Sequence, residues 1–213
     1  MNAQDRPGEP PLVSDVPEDH SASGPLVLVD ISRYTTFVAE TELAHSQILI
    51  GELLDAVVES LGGHLQVSNF EGDAVFFCGD NTGPELMGWF DATYLAFHRR
   101  LRDVVATRAV HCSCQACVRA PMLTVKVIAH HGEYSRFRVG RVEQLHGTDV
   151  IVPHRLAKNH VPSHEYVLAT SRLLDRIPLE QSAAFTRIEE EVADLGVVPV
   201  GYRDLGRLRD RLT

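Results

Sequence analysis

Leu26-Val27-Leu28-Val29-Asp30-Ile31-Ser32-Arg33-Tyr34-Thr35 and Phe70-Glu71-Gly72-Asp73-Ala74-Val75-Phe76-Phe77-Cys78 are the two stretches on which the reading of the fold turns. In the first, a short uninterrupted apolar run ends in an aspartate, which predicts a buried strand with a carboxylate at its end. In the second, a loosely alternating segment from His64 to Phe70 and a continuously apolar one from Ala74 to Cys78 flank Glu71-Gly72-Asp73. Gly-Asp between two strand-like runs is a hairpin signal.

The intervening segments read as helices. Ile50, Leu53, Leu54, Val57, Val58 and Leu61 share one helical face, and Gly62-Gly63 stops it. Met87, Phe90, Tyr94, Phe97, Leu101 and Val104 form a second stripe, preceded by Thr82 and Glu85 at capping-box spacing. The aromatic residues of that stripe are core positions rather than a cofactor box. A strand follows from Leu123 to about Ala129, ended by Gly132-Glu133; then come a short helix over 149–159, a strand over Glu165–Ala169, and a last strand or hairpin around Val197–Tyr202. The order β-α-β-β-α-β with a C-terminal α/β extension predicts an α+β ferredoxin-like palm with antiparallel strand order 4-1-3-2. That order sets the end of the first strand beside the start of the third, and so brings Asp30 to Asp73.

The chain has 213 residues, 29 acidic against 20 basic, for a net charge of −9. That is enough for one domain, expected over 25–213, with a Pro-rich, weakly apolar tail over 1–24 expected to be disordered. An acidic protein does not attract nucleic acid or anionic lipid by its overall field. No apolar run is long enough for a membrane span, and no secretory signal precedes the first strand. Arg203, Arg207, Arg209 and Arg211, interleaved with Asp204 and Asp210, read as a solvated helix face. Three of the four cysteines fall in His111-Cys112-Ser113-Cys114-Gln115-Ala116-Cys117. That spacing suits metal ligation better than a disulfide framework, and the expected compartment is the reducing cytoplasm.

Two carboxylates at neighbouring strand ends can hold Mg²⁺ or Mn²⁺ together with phosphate oxygens and water. On spacing alone, Asp30 ends a strand and Asp73 serves a turn. The local sequence adds to this. Asp30-Ile31-Ser32-Arg33-Tyr34-Thr35 resembles the first metal motif of the class III adenylyl and guanylyl cyclases, and Phe70-Glu71-Gly72-Asp73 resembles the second. Gly147-Thr148-Asp149-Val150, continuing to Arg155-Leu156, resembles their later Gly-x-x-Val…Arg motif. Ala39-Glu40-Thr41-Glu42…His45-Ser46, the Cys-x-Cys-x-x-Cys and His154-Arg155-Leu156…Lys158-Asn159 are similar to a group of small bacterial cyclase-like proteins of unknown function. The resemblance implies a head-to-tail homodimer that binds a nucleoside triphosphate. In it Asp30, Asp73 and the Ile31 carbonyl hold Mg²⁺ or Mn²⁺, and the partner protomer supplies groups for the base and the transition state.

Carried across residue by residue, the pattern is incomplete. The base-selecting lysine position holds Asn69, and the second base-selecting position holds Gln144. The transition-state asparagine position holds Ile151, and only the arginine survives, as Arg155. Amides can still read a base edge, whereas Ile151 cannot donate, and loss of such a donor costs ~10²–10³ in rate. The resemblance therefore implies weak, altered or absent cyclase activity. The alternative is a non-catalytic nucleotide- or partner-binding regulatory module with a zinc- or redox-responsive cysteine cluster. In that cluster Cys112, Cys114 and Cys117 are three candidate zinc ligands. His111 or His98 is the expected fourth, Cys78 at the far end of a strand is not, and a reduced, metal-free loop stays open as the other reading. His130 and His131 read chiefly as packed or solvated strand-end residues.

Overall fold

The computed structural model describes residues 21–80, 83–109 and 111–212. The capping residue expected at Thr82 and most of the expected disordered tail lie outside these. The elements are β1 (Ser21–Ser32), α1 (Tyr34–Ala39), α2 (Leu43–Leu61), β2 (Gln66–Glu71), β3 (Ala74–Cys78), α3 (Leu86–Ala109), α4 (Gln115–Arg119), β4 (Thr124–Val139), β5 (Val142–His146), α5 (Thr148–Leu156), β6 (Tyr166–Thr170), α6 (Ser171–Leu174), α7 (Leu179–Ser182), β7 (Thr186–Val192) and β8 (Gly196–Asp204). A single sheet runs β2-β3-β1-β4-β6-β8-β7, with β5 folded back on the outer part of β4. Its first four strands are the expected palm order, and β6, β8 and β7 are the extension. All pairings are antiparallel except β4 with β6.

β1 is continuously apolar because both of its faces are covered. Val27, Val29 and Ile31 point into one core with the α2 and α3 stripes, including Leu53, Val57, Phe90, Tyr94 and Phe97. Leu26 and Leu28 point the other way, into a core with Phe76, Ile128, Val152, Leu156 and Tyr166 under α5. Alternation along a strand puts residues two apart on one face. Asp30 therefore emerges on the α5 side, in register with Ala74 of β3 and Lys126 of β4.

Three expectations change. β1 begins at Ser21, four residues inside the segment assigned to the tail, because Ser21–Gly24 pairs with Gly132–Ser135 of an unexpectedly long β4. Gly132-Glu133 does not end β4. Gly132 sits mid-strand, where a Cβ would lie 2.2 Å from the Asp149 Cβ, so this glycine marks a close approach and not a turn. The turn falls eight residues later, at Gly140, whose φ is +62°. Of the strand or hairpin expected around Val197–Tyr202, the structure has the hairpin, β7–β8. Finally, the C-terminal arginines do not share one solvated helix face. Arg203 lies on β8 and clamps Asp91 of α3 with both guanidinium nitrogens, the shorter contact being 2.5 Å. Arg209 donates to Glu165 at 2.6 Å. Glu165 also accepts from Tyr94 and Thr124, so this carboxylate ties the chain end to α3 and β4.

Candidate metal and nucleotide site

The β1–β3 ladder places Asp30 opposite Ala74, the residue after Asp73, and the Ile31 amide donates to the Asp73 carbonyl at 3.2 Å. Gly72 takes φ +64° in the two-residue hairpin turn, a conformation glycine adopts without a Cβ penalty. The turn chemistry therefore serves the site by delivering Asp73 beside Asp30. Burial, more than anything else, raises the pKa of Asp30, against the opposing pull of Lys126. Burial and then the Asp30 charge push Asp73 up to about 6. Two half-buried carboxylates beside each other form a site short of positive charge, and oxygen donors of this kind fit Mg²⁺ or Mn²⁺.

Lys126, which the sequence reading did not single out, supplies part of that charge. Its Nζ lies 3.7 Å from Asp30 Oδ2 and donates to the Ala157 carbonyl at the end of α5 at 3.0 Å. A lysine between Val125 and Val127 in a buried strand was the available signal, since such a charge needs a partner. Tyr166 of β6 also feels the Asp30 charge, with its hydroxyl engaged by Asn159.

Because the raised pKa of Asp73 disfavours its charged form, protons would compete with any cation bound at the pair. As pH falls through about 6, the native state takes up a proton that the unfolded chain, titrating near the ordinary 3.8, does not yet bind. The metal-free protein gains stability from this group over that window and loses it as pH rises back through about 6. Mn²⁺ affinity is expected to move the opposite way, dropping between about pH 7 and about pH 5 with a midpoint near the Asp73 value of about 6. Calorimetric titration at three pH values measures it, and a flat profile would remove Asp73 from the ligand set.

The remaining predicted residues are not all gathered here. Asn69, beside a bulge in β2, donates to Glu71 at 2.9 Å, and Glu71 in turn pairs with His154 of α5 at 3.0 Å. Gln144 lies half-buried on β5, and the strands that carry Asn69 and Gln144 touch. Arg155 projects from the last turn of α5 to Asp194 at 3.2 Å, and both side chains are at least half exposed, at 50% and 80%. Ile151 is exposed on the same helix. His130 is not at a strand end but within β4, bridging Thr170 at 2.8 Å and Asp149 at 3.2 Å. The neighbouring His131 is buried, with no hydrogen-bond partner for Nδ1 among the described residues.

The cysteine loop lies elsewhere, against the start of α2. The imidazole beside its thiols belongs to His45, not to His111 or His98: Nδ1 is 3.0 Å from Cys114 Sγ and 3.5 Å from Cys112 Sγ. His98 is buried on α3 against Thr124 at 3.1 Å, and burial pushes its pKa down to about 4. Cys78, as expected, stays apart, buried and 3.4 Å from Arg136. His45 was legible only in part. Glu42 and His45 stand one turn apart on one helix face, but nothing local says that a loop from position 112 onward packs there.

Sheet order, flanking helices and paired strand-end aspartates define the fold as that of the class III nucleotide cyclases. The solved guanylyl cyclase Cya2 aligns with a TM-score of 0.64 at 11% identity, over 85% of this chain and 91% of that one. The guanylate cyclase domain of RhGC from Catenaria anguillulae in complex with GTP aligns at 0.55 and 14%, over 85% and 95%. A bacterial light-regulated adenylyl cyclase aligns at 0.62 and 14% over 90% of this chain, which spans only 57% of that protein's length. Within this fold the chain belongs to the family described as Protein of unknown function (DUF2652), whose model matches residues 50–166. The uncharacterized protein Rv2561/Rv2562 of Mycobacterium tuberculosis is 27% identical over 156 residues, 73% of each chain. No helix among the described residues is long and apolar enough to cross a membrane.

Proposed function

We propose that the protein binds a nucleoside triphosphate with Mg²⁺ or Mn²⁺ at Asp30 and Asp73, as a divergent cyclase-like protein whose turnover is slow, altered or lost. The observation that carries this reading is the pairing of the two carboxylates at adjacent strand ends, with the Asp73 pKa raised in part by Asp30. A divalent ion bound there would draw phosphate oxygens to the β1–α1 end of the sheet. The chain's own residues do the rest. Lys126 holds Asp30 in place and offsets part of its charge. Asn69 and Gln144 offer amide donors and acceptors toward a base.

A homodimer is part of the proposal. A second protomer would give the aspartate pair an enclosing wall. Phe137, Val139 and Val142 are exposed on the β4–β5 arm, an apolar surface that a second copy would cover. Arg155 is held by an exposed ion pair, and pairs of that kind contribute about 0–1 kcal/mol. The arginine can therefore turn to a partner's nucleotide at little cost.

The poor match at the transition-state position favours binding over turnover. Ile151 presents an apolar side chain to solvent where a donor would be required. Calorimetry with ATP and GTP, with and without Mn²⁺, tests the reading, alongside product analysis by chromatography. Binding that requires the metal, with little or no cyclic product, is the expected result. Absence of nucleotide binding at millimolar concentration in the presence of Mn²⁺ would overturn it.

A further inference from the structure

His45, Cys112 and Cys114 come from two distant parts of the chain and converge at one point, with Cys117 next along the same loop. His45 Nδ1 and the sulfurs of Cys112 and Cys114 all lie within 4.8 Å of one another. Cys117 follows in the first turn of α4, three residues after Cys114, and its amide donates to Cys114 Sγ at 3.4 Å. None of the three pairs in a disulfide. Zn–S and Zn–N bonds of ~2.3 and ~2.0 Å in a tetrahedron set nitrogen and sulfur ~3.5 Å apart. The observed separations of 3.0 and 3.5 Å are close to that edge. Three thiol sulfurs and one imidazole are the donor set of a closed, four-coordinate structural zinc site.

The surroundings hold the donors in place without the ion. Glu42, one turn before His45 at the start of α2, accepts from the amides of Gln115 and Ala116, both at 3.1 Å, and so caps α4 directly after Cys114. Arg119 at the end of α4 pairs with Glu40. Three side chains from residues 40–45 therefore grip the loop that carries the cysteines, two of them through its backbone or its helix end. Nothing in the cyclase-type reading of Asp30 and Asp73 requires this arrangement.

We propose that His45, Cys112, Cys114 and Cys117 bind one structural Zn²⁺ per chain, stapling the α3–β4 connection to the start of α2. The staple braces the turn between α1 and α2, and α1 begins at Tyr34, four residues after Asp30. A bound ion here acts by position alone, since all four coordination places are taken by protein.

The test is cobalt substitution in the whole chain. Protein purified under reducing conditions without added metal is analysed for zinc, then stripped with a chelator and titrated with Co²⁺. The expected result is about one zinc per chain, and in the cobalt protein a thiolate-to-metal charge-transfer band with the visible absorption of a tetrahedral ion. The charge-transfer band reports sulfur ligands only, so a cation at Asp30 and Asp73 does not contribute to it. Zinc far below one per chain together with no such band would overturn the site, as would a disulfide among the three cysteines in the freshly reduced-purified protein. His45→Ala is expected to weaken metal affinity at least ~100-fold, beyond the effect typical of an outer-shell partner, and His111→Ala to leave it unchanged. The reverse pattern would overturn the ligand assignment. The wild-type spectrum decides the matter even if the His45 variant does not fold.

Discussion

Asp30→Asn is expected to weaken Mn²⁺-dependent nucleotide binding by more than ~100-fold while leaving the fold intact. The substitution keeps the size and shape of the side chain, so packing at the end of β1 is preserved. What changes is charge. In the wild type, two carboxylates and one ammonium leave a net negative locus, and burial, followed by the Asp30 charge, raises the Asp73 pKa to about 6. With an uncharged amide at position 30, Asp73 faces Lys126 alone and the locus is neutral. A divalent ion then meets one carboxylate instead of two and no electrostatic surplus. Loss of a single outer-shell partner already costs ~10–100-fold in metal affinity, and a direct ligand should cost more. Calorimetry with the Mn²⁺–nucleotide complex measures the change, and circular dichroism serves as the folding control. Wild-type affinity in this variant would show that Asp30 merely ends a strand.

Gly132→Ala should be among the most destabilising single-methyl additions in the protein, at about 3–5 kcal/mol. The new Cβ would sit 2.2 Å from the Asp149 Cβ and 2.5 Å from its Oδ2. Asp149 cannot yield cheaply. It accepts from the Glu133 amide at 2.8 Å, from Arg172 at 2.7 Å and meets buried His130 at 3.2 Å. Overpacking costs about 1–3 kcal/mol, and each displaced hydrogen bond adds about 1 kcal/mol. For a chain of this length the midpoint of thermal unfolding should fall by roughly 10 °C. Adding Asp149→Gly to Gly132→Ala, which removes the Asp149 Cβ as well as its carboxylate, should recover part of the loss by relieving the clash, a coupling that a double-mutant cycle reads directly. A single variant within about 0.5 kcal/mol of wild type, the range of an ordinary surface change, would mean that α5 can shift away from β4 freely.

The palm is legible in the sequence because its elements carry strong, short-range signals. The continuous apolar runs before Asp30 and after Asp73, the stripe from Met87 to Val104 and the Gly72 turn each state their own geometry. Strand order follows from connectivity and by itself sets the two aspartates together. Elements whose limits depend on remote partners are not legible in this way. Gly132 reads as a stop because a glycine chosen for lack of a side chain is written the same way as one chosen for a turn. β7, with Thr186-Arg187-Ile188-Glu189-Glu190-Glu191-Val192, alternates too weakly to stand out. It exists as a strand because β8 pairs with it along its whole length. Arg203 and Arg209 read as one polar face, yet Asp91 and Glu165, from far along the chain, claim them.

The candidate sites divide along the same line. By itself the sequence determined which residue types could do chemistry here: two aspartates at strand ends, one surviving arginine, amides where base-selecting groups are expected, and three clustered thiols. Periodicity and turn chemistry act over a few residues, and that range suffices to set strand, helix and turn around each of them. Only the tertiary structure decided who stands beside whom. It put Lys126 against Asp30, gave Arg155 to Asp194, and brought His45 rather than His111 or His98 to the cysteines. Those pairings depend on strand register and on how α2 packs against the α3–β4 connection. Both are set by burial of two apolar faces across the whole sheet, and such long-range packing leaves no mark at the individual residues it joins.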